Sequence, residues 1–177
     1  MIHAVTIQDP SPRQARMPNQ RAENGGRPLV YLCGSIGGRS LQEALAWREQ
    51  ATDLLAPEFS VLNPLRDHPA LAQMENPLRV VEARETAFHF TDAEIVERDL
   101  LDIRRCFLVL RHYLGPSEGS PMECAYAKTF GIPVIVSGIP DPSAVSPWLR
   151  YHSVKILPSV DEAVSYIKGY WSPPAFL

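Results

Sequence analysis

Apolar residues in this chain fall into short continuous runs that alternate with stretches of helical spacing. Leu29-Val-Tyr-Leu-Cys33 is unbroken, follows Pro28 and gives way to the small residues Gly34-Ser-Ile-Gly-Gly38, so it predicts a buried strand and a loop. From Ser40 to Leu55 the period changes. Leu41, Ala44, Leu45, Ala51, Leu54 and Leu55 lie on or near one face of a helix. Phe59-Ser-Val-Leu62, closed by Asn63-Pro64, predicts a second strand. Residues 64–90 have no clean period and read as a long loop with helical pieces. Thr91 followed three residues later by Glu94 is a capping-box pattern, predicting a helix that runs to about Arg105. Cys106 to Leu110 and Ile132 to Val136 predict strands three and four, and Val154-Lys-Ile-Leu157 a short fifth. Val160 to Gly169 predicts the last helix, with Ser159 as its cap.

Strands alternating with helices predict a single-domain α/β fold, a five-stranded parallel sheet with helices on both faces in a flavodoxin-like or Rossmann-like order. Residues 1–28 are rich in Pro, Gln, Asn and Arg without periodicity and read as a flexible tail; the domain is expected over 29–170, with 171–177 as a C-terminal tail. At 177 residues and 45% hydrophobic content, one well-buried core is the natural expectation. A net charge of −3 points away from a nucleic-acid polymer or an anionic membrane as partner. No apolar run reaches the length of a membrane span and no signal-like segment opens the chain, so a cytoplasmic protein is expected. Cys33, Cys106 and Cys124 are odd in number and sit in apolar runs, which predicts reduced, buried thiols. The five histidines are scattered at no ligand spacing, so neither a metal nor another cofactor is expected.

Candidate chemistry concentrates in Gly115-Pro-Ser-Glu-Gly-Ser-Pro-Met-Glu-Cys-Ala-Tyr-Ala127. Small residues open into an apolar helix, with Pro121 suited to its first position and Glu123 in its first turn. The positive end of a helix favours the anionic form of a carboxylate, which suits a nucleophile better than an acid. Strand, small-residue loop and helix, at the carboxyl end of a parallel strand, is where open α/β sheets place ligands. Taken alone, a glutamate there would be a dipole-matched surface residue.

Four segments in order, Val30-Tyr-Leu-Cys-Gly-Ser-Ile36, Asp99-Leu-Leu-Asp-Ile103, Pro116-Ser-Glu-Gly-Ser-Pro-Met-Glu123 and Gly131-Ile-Pro-Val134, resemble the nucleoside 2-deoxyribosyltransferase superfamily. That superfamily includes the 2′-deoxynucleoside 5′-monophosphate N-glycosidases, and the resemblance covers roughly residues 29–168. It implies three catalytic positions. Glu123 matches the nucleophile that captures C1′ of the sugar, Asp99 the aspartate that contacts the departing base, and Tyr31 a tyrosine that touches nucleophile and sugar. Asp102, one turn from Asp99, is the decoy, an acid for Arg98 or Arg105 to pair with. Gly34, Ser35, Ile36, Ser117, Gly119 and Met122 are expected to line the substrate, with Ser146 contributed from a neighbouring subunit of a homo-oligomer. The expected partners are a nucleoside or nucleotide and a nucleobase.

The first expectation for the reaction is transfer of a 2-deoxyribosyl group to another base; hydrolysis of a nucleoside 5′-monophosphate is the alternative. Transferases carry aspartate where this chain has Ser117, and the monophosphate N-glycosidases carry serine there, which can donate to phosphate. Ser35, Ser117 and Ser146 would be the phosphate cradle, with Arg39, Arg48, Arg66 and Arg150 available to add charge. The blocks around Trp47-Arg48, Asn63 to Arg66 and Ser146 to His152 resemble the transferases instead. A nucleotide-sensing module without turnover is a remoter alternative.

Overall fold

The computed structural model describes residues 26–66 and 91–171. Its elements are β1 (Leu29–Gly34), α1 (Leu41–Leu55), β2 (Ser60–Leu62), α2 (Asp92–Arg105), β3 (Leu108–His112), α3 (Gly119–Thr129), β4 (Val134–Ser137), a 3-10 turn (Pro142–Ala144), α4 (Pro147–His152), β5 (Lys155–Ile156) and α5 (Val160–Trp171). All five strands pair in parallel in the order β2-β1-β3-β4-β5. This is the expected α/β architecture. The chain order reverses at β1, whose two neighbours are β2 and β3, and the carboxyl ends of strands at such a reversal are where open α/β sheets place their ligands.

Side chains alternate across the sheet and divide the core in two. Tyr31, Cys33 and Val109 lie in the layer with Ile103 of α2 and with Cys124 and Ala127 of α3. Val30, Leu32 and Leu110 face Trp47, Ala51 and Leu55 of α1 and Val164 and Ile167 of α5. Every residue of β1 is buried, as a strand covered on both faces must be, and this is why it reads as a continuous apolar run.

Caps fix where the helices start. The Ser40 hydroxyl accepts the Glu43 N–H at 3.1 Å, while Glu43 accepts the Ser40 N–H at 2.9 Å. Thr91 and Glu94 make the same reciprocal pair at 3.2 and 2.7 Å, so the predicted capping box of α2 is present. At the end of α3, Gly131 takes φ +71°, and the Ile132 and Gly131 N–H groups bond back to the Ala127 and Lys128 carbonyls. This left-handed turn satisfies two orphan carbonyls and suits glycine.

Several boundaries differ from the sequence expectation, with β2 starting at Ser60, β4 at Val134 and α5 ending at Trp171 among them. β3 begins at Leu108 because Cys106 ends α2, its N–H held by the Asp102 and Ile103 carbonyls. α3 begins at Gly119, two residues before Pro121. The short helix α4 was not expected; Ser146 caps it and Pro147 takes its first position. Residues 1–25, 67–90 and 172–177, which hold most of both predicted tails and of the predicted long loop, lie outside the described residues; Trp171, expected in the C-terminal tail, ends α5 instead. Among the described residues no helix is long and apolar enough to cross a membrane.

Candidate active site

Tyr31 and Glu123 meet across 92 residues of sequence. The Tyr31 hydroxyl donates to Glu123 Oε1 at 2.9 Å. Tyr31 lies in the middle of β1 rather than at its end, fully buried, with its ring beneath α3. Burial, then the neighbouring Glu123 carboxylate, raises its pKa far above the usual phenol range, so the hydroxyl stays a donor. One carboxylate oxygen of Glu123 is thereby held, and the group is half-buried. Because α3 starts early, Glu123 falls in its second turn, with no acid in the first. The expected place in the first turn, beside the positive helix end, is corrected accordingly: the hydrogen bond from Tyr31 holds Glu123.

Asp99 stands on α2 close enough for its charge to be felt by both Tyr31 and Glu123. Burial pushes its carboxyl up to about 6; Arg98 pulls the other way, and Glu123 and Asp102 add to the rise. Arg98 donates to Asp99 at 3.1 Å and to the Pro64 carbonyl at 2.8 Å, tying α2 to the end of β2. Asp102, 1% exposed, pairs with Arg66 and Arg105, and so belongs to the scaffold. Arg98 goes to Asp99 instead, a partnership the sequence reading did not assign.

The remaining predicted residues divide. Gly34, Ser35 and Ile36 follow directly from the strand that carries Tyr31. Gly34 is packed so tightly that a Cβ would lie 2.7 Å from Trp47 Cζ2 and 3.2 Å from the His112 carbonyl. Ser35 is buried, and Ile36 packs on the small cluster of Ala44 and Leu65. Ser117 precedes α3, its hydroxyl 3.1 Å from that of Ser120. Gly119 opens the helix, and Met122 points outward, 71% exposed. Ser146 and Ser117 both line a cavity on one flank of α3, and Glu123 is not part of that lining.

Of the four arginines proposed to add charge, three are committed elsewhere. Arg48 is fully buried, donating to the carbonyls of Ala44 and Gly34 and lying over the Trp47 ring. Arg66 holds Asp102, and Arg150 donates to the Ser143 and Val145 carbonyls. Arg39 makes no ion pair among the described residues, and its guanidinium lies against Gly115, where a Cβ would sit 2.4 Å from Nη2. Gly115 has φ +123°, so both space and backbone call for glycine. Arg39 therefore sits between the loop after β1 and the loop before α3.

A cavity of about 570 Å³ opens on the α4 side of α3, lined by Pro121, Cys124 and Ala125 of that helix and by Arg111. Residues 121, 124 and 125 project on one flank, and 123, at 100° per residue, projects near the opposite one. The sequence reading missed Arg111. Its signal was a charge inside an otherwise apolar strand, Leu108-Val-Leu-Arg-His112. The three thiols are free and buried. No group of three or more His, Cys, Asp or Glu among the described residues could hold a metal ion.

No protein-family model matches the sequence, and no curated protein does. Solved structures do match. A conserved protein from Enterococcus faecalis V583 superposes with a TM-score of 0.56 at 13% identity, covering 81% of this chain and 98% of that one. The Clostridium botulinum CMP N-glycosidase BcmB superposes with a TM-score of 0.52 at 15% identity, covering 80% and 98%. The chain shares their fold. The likeness to an N-glycosidase agrees with the fold that the sequence resemblance implied, at identities that speak for architecture alone.

Proposed function

We propose that this protein cleaves the N-glycosidic bond of a nucleoside 5′-monophosphate through a covalent glycosyl–Glu123 intermediate. The observation that carries this reading is a pair of carboxyl groups in unlike surroundings: Glu123 is held by the Tyr31 hydroxyl at 2.9 Å, and Asp99 is pushed up to about 6. Glu123 attacks C1′ as the C1′–N bond breaks, and protonated Asp99 delivers its proton to the departing base. Asp99, now a carboxylate, takes a proton from a water that attacks C1′. The sugar phosphate leaves and both carboxyl groups regain their starting states.

The 5′-monophosphate is supported by Ser117, where the resembling transferases carry aspartate, and by Arg39 beside Gly115, which makes no ion pair among the described residues. A neighbour of the same fold is itself a CMP N-glycosidase. The Trp47-Arg48 and Asn63–Arg66 blocks, which resemble transferases, pack and pair within the scaffold and so say little about the acceptor. A homodimer or larger assembly belongs to the same proposal. Trp148, Tyr151 and Met122 are 77%, 69% and 71% exposed, and Ser146 on that side would complete a neighbour's site.

Chromatographic product analysis tests the reading. The protein is incubated with deoxy- and ribonucleosides and their 5′-monophosphates, each with and without a second free base. Free base released from monophosphates without an acceptor, abolished in a folded Glu123→Ala variant, is the expected result. New nucleoside formed only when a base is added would assign deoxyribosyl transfer. Turnover that survives Glu123→Ala would overturn the mechanism. Saturable ligand binding with no product would indicate a sensing module.

A further inference from the structure

We infer that Cys33 and Cys124 form a redox-active dithiol, which hydrogen peroxide converts to a disulfide that ties α3 to β1. The change is covalent and lies in the chain itself, so its chemical readout does not depend on the role given to Glu123.

Side chains from three elements meet where α3 packs on the sheet. Cys33 of β1 and Arg111 of β3 are register partners, and Cys124 of α3 shares the core layer of Cys33. The Cys33 thiol donates to the Cys124 sulfur and lies 3.7 Å from the Ser120 carbonyl, one turn earlier on that helix. Arg111 donates from Nη1 to the same Cys124 sulfur at 3.9 Å. Two sulfurs already in contact need little backbone movement to bond.

Arg111 marks this pair as more than core. It is 5% exposed, yet it makes no ion pair among the described residues. Its Nε is buried without a hydrogen-bond partner. A buried guanidinium normally has a carboxylate or a set of carbonyls around it, because unmet donors in a low-dielectric interior are costly. Arg48 has two such carbonyls. Arg111 has the Cys124 sulfur instead. The Cys33 thiol first, and then the Arg111 charge, hold Cys124 below its ordinary value against the opposing effect of burial. A thiol beside a cation is the reactive kind. Cys106 is the contrast: buried in the same layer, its thiol is pushed up to about 12.

The chemistry balances with peroxide alone. The Cys124 sulfur attacks one peroxide oxygen, the S–O bond forms and the O–O bond breaks. The departing oxygen takes the thiol proton and leaves as water, and Cys124 becomes a sulfenic acid. The Cys33 sulfur then displaces that hydroxyl, forming the S–S bond, and a second water leaves with the Cys33 proton. Two thiols lose two electrons, and one peroxide gains them. The free Nε donor of Arg111 can hold the departing oxygen. Cys124 forms part of the wall of the cavity beside α3, which gives a molecule scarcely larger than water its way in. Cys124 directly follows Glu123, and Cys33 is two residues beyond Tyr31, so the new bond pulls on both ends of their 2.9 Å contact. Resting on the reading of Glu123 as nucleophile, oxidation therefore switches turnover off reversibly.

The test treats the folded protein with equimolar hydrogen peroxide, denatures it in iodoacetamide without reductant, and analyses the digest by mass spectrometry. A Cys33–Cys124 cross-linked peptide pair is expected, lighter by two hydrogens than its parts and undone by dithiothreitol, with Cys106 recovered as the alkylated thiol. Cys33→Ser removes the second step, so Cys124 should accumulate as the sulfenic acid and be trapped by dimedone. Arg111→Met should slow the first step by at least about tenfold, because the thiolate fraction falls without the cation. If Arg111→Met fails to fold, Cys33→Ser answers instead: dimedone should mark Cys124 at least about tenfold faster than Cys106. Base release should fall as the cross-link forms and return with dithiothreitol. Reduced protein without turnover would sink the reading of Glu123 and leave the cross-link standing. All cysteines still free after peroxide, a cross-link through Cys106, an undiminished rate in Arg111→Met, or full base release from cross-linked protein overturns the proposal.

Discussion

At the residue scale, one oxygen of Glu123 is held by the Tyr31 hydroxyl, and the nearby Asp99 carboxyl is pushed up to about 6. Tyr31→Phe removes the hydroxyl that donates to Oε1. It should lower kcat by on the order of 10- to 100-fold by letting the carboxylate wander, and cost about 1 kcal/mol of stability; single-turnover kinetics and urea unfolding check the two parts. Asp99 must be protonated to act on the departing base, and its carboxyl titrates at about 6. kcat/KM should therefore fall as pH rises through that value. Asp99→Asn should lose this limb together with about 100-fold or more of the rate; a pH–rate profile on a fixed substrate decides it. That Tyr31, Asp99 and Glu123 lie together was legible because the motif resemblance grouped residues that composition could not. Arg98, Arg48 and Arg111 were not legible. Charged residues read as solvated by default, and only the fold reveals which of them it has buried.

At the element scale, α2 is the arm that carries Asp99, and its N-terminus is fastened by Thr91 and Glu94. Thr91→Ala should cost about 1 kcal/mol and lower Tm by about 2–4 °C, measured by thermal unfolding. Gly131→Ala forces a Cβ into φ +71° at the end of α3. It should cost about 1–2 kcal/mol. Helices with caps and several turns were placed well from sequence, since Ser40 with Glu43 and Thr91 with Glu94 leave a local signature. Strand edges were placed less well. Cys106 is apolar like its neighbours, but backbone bonding to α2 claims it. Helix α4 spans six residues, too few for a period to show.

At the scale of the whole molecule, two buried titrations oppose one another. Asp99 is raised from 3.8 to about 6 in the fold, so the stability it brings is full below 3.8 and is lost as pH rises through 6. His112 is lowered from 6.5 to about 4 by burial and by the Arg48 charge. Its contribution is present above 6.5 and is lost as pH falls through 4. Each is worth on the order of 3 kcal/mol, and they act over nearly the same window with opposite sign. The combined contribution of this pair should be nearly flat between pH 4 and 6.5. His112→Gln should uncover stability that grows as pH falls, and Asp99→Asn stability that shrinks; urea unfolding of the three proteins across that range measures both slopes. A wild-type slope matching either variant would break the assignment.

The three free cysteines all lie in the layer that α2 and α3 make with the sheet, and none belongs to the layer built with α1 and α5. Burial pushes the Cys106 thiol up to about 12 and raises Cys33 well above its ordinary value. The molecule thus carries a built-in clock for one half of itself. A thiol reagent such as Ellman's, used without any engineered label, would count the openings of the α2–α3 layer through Cys33 and Cys106 and stay blind to fraying of the opposite one.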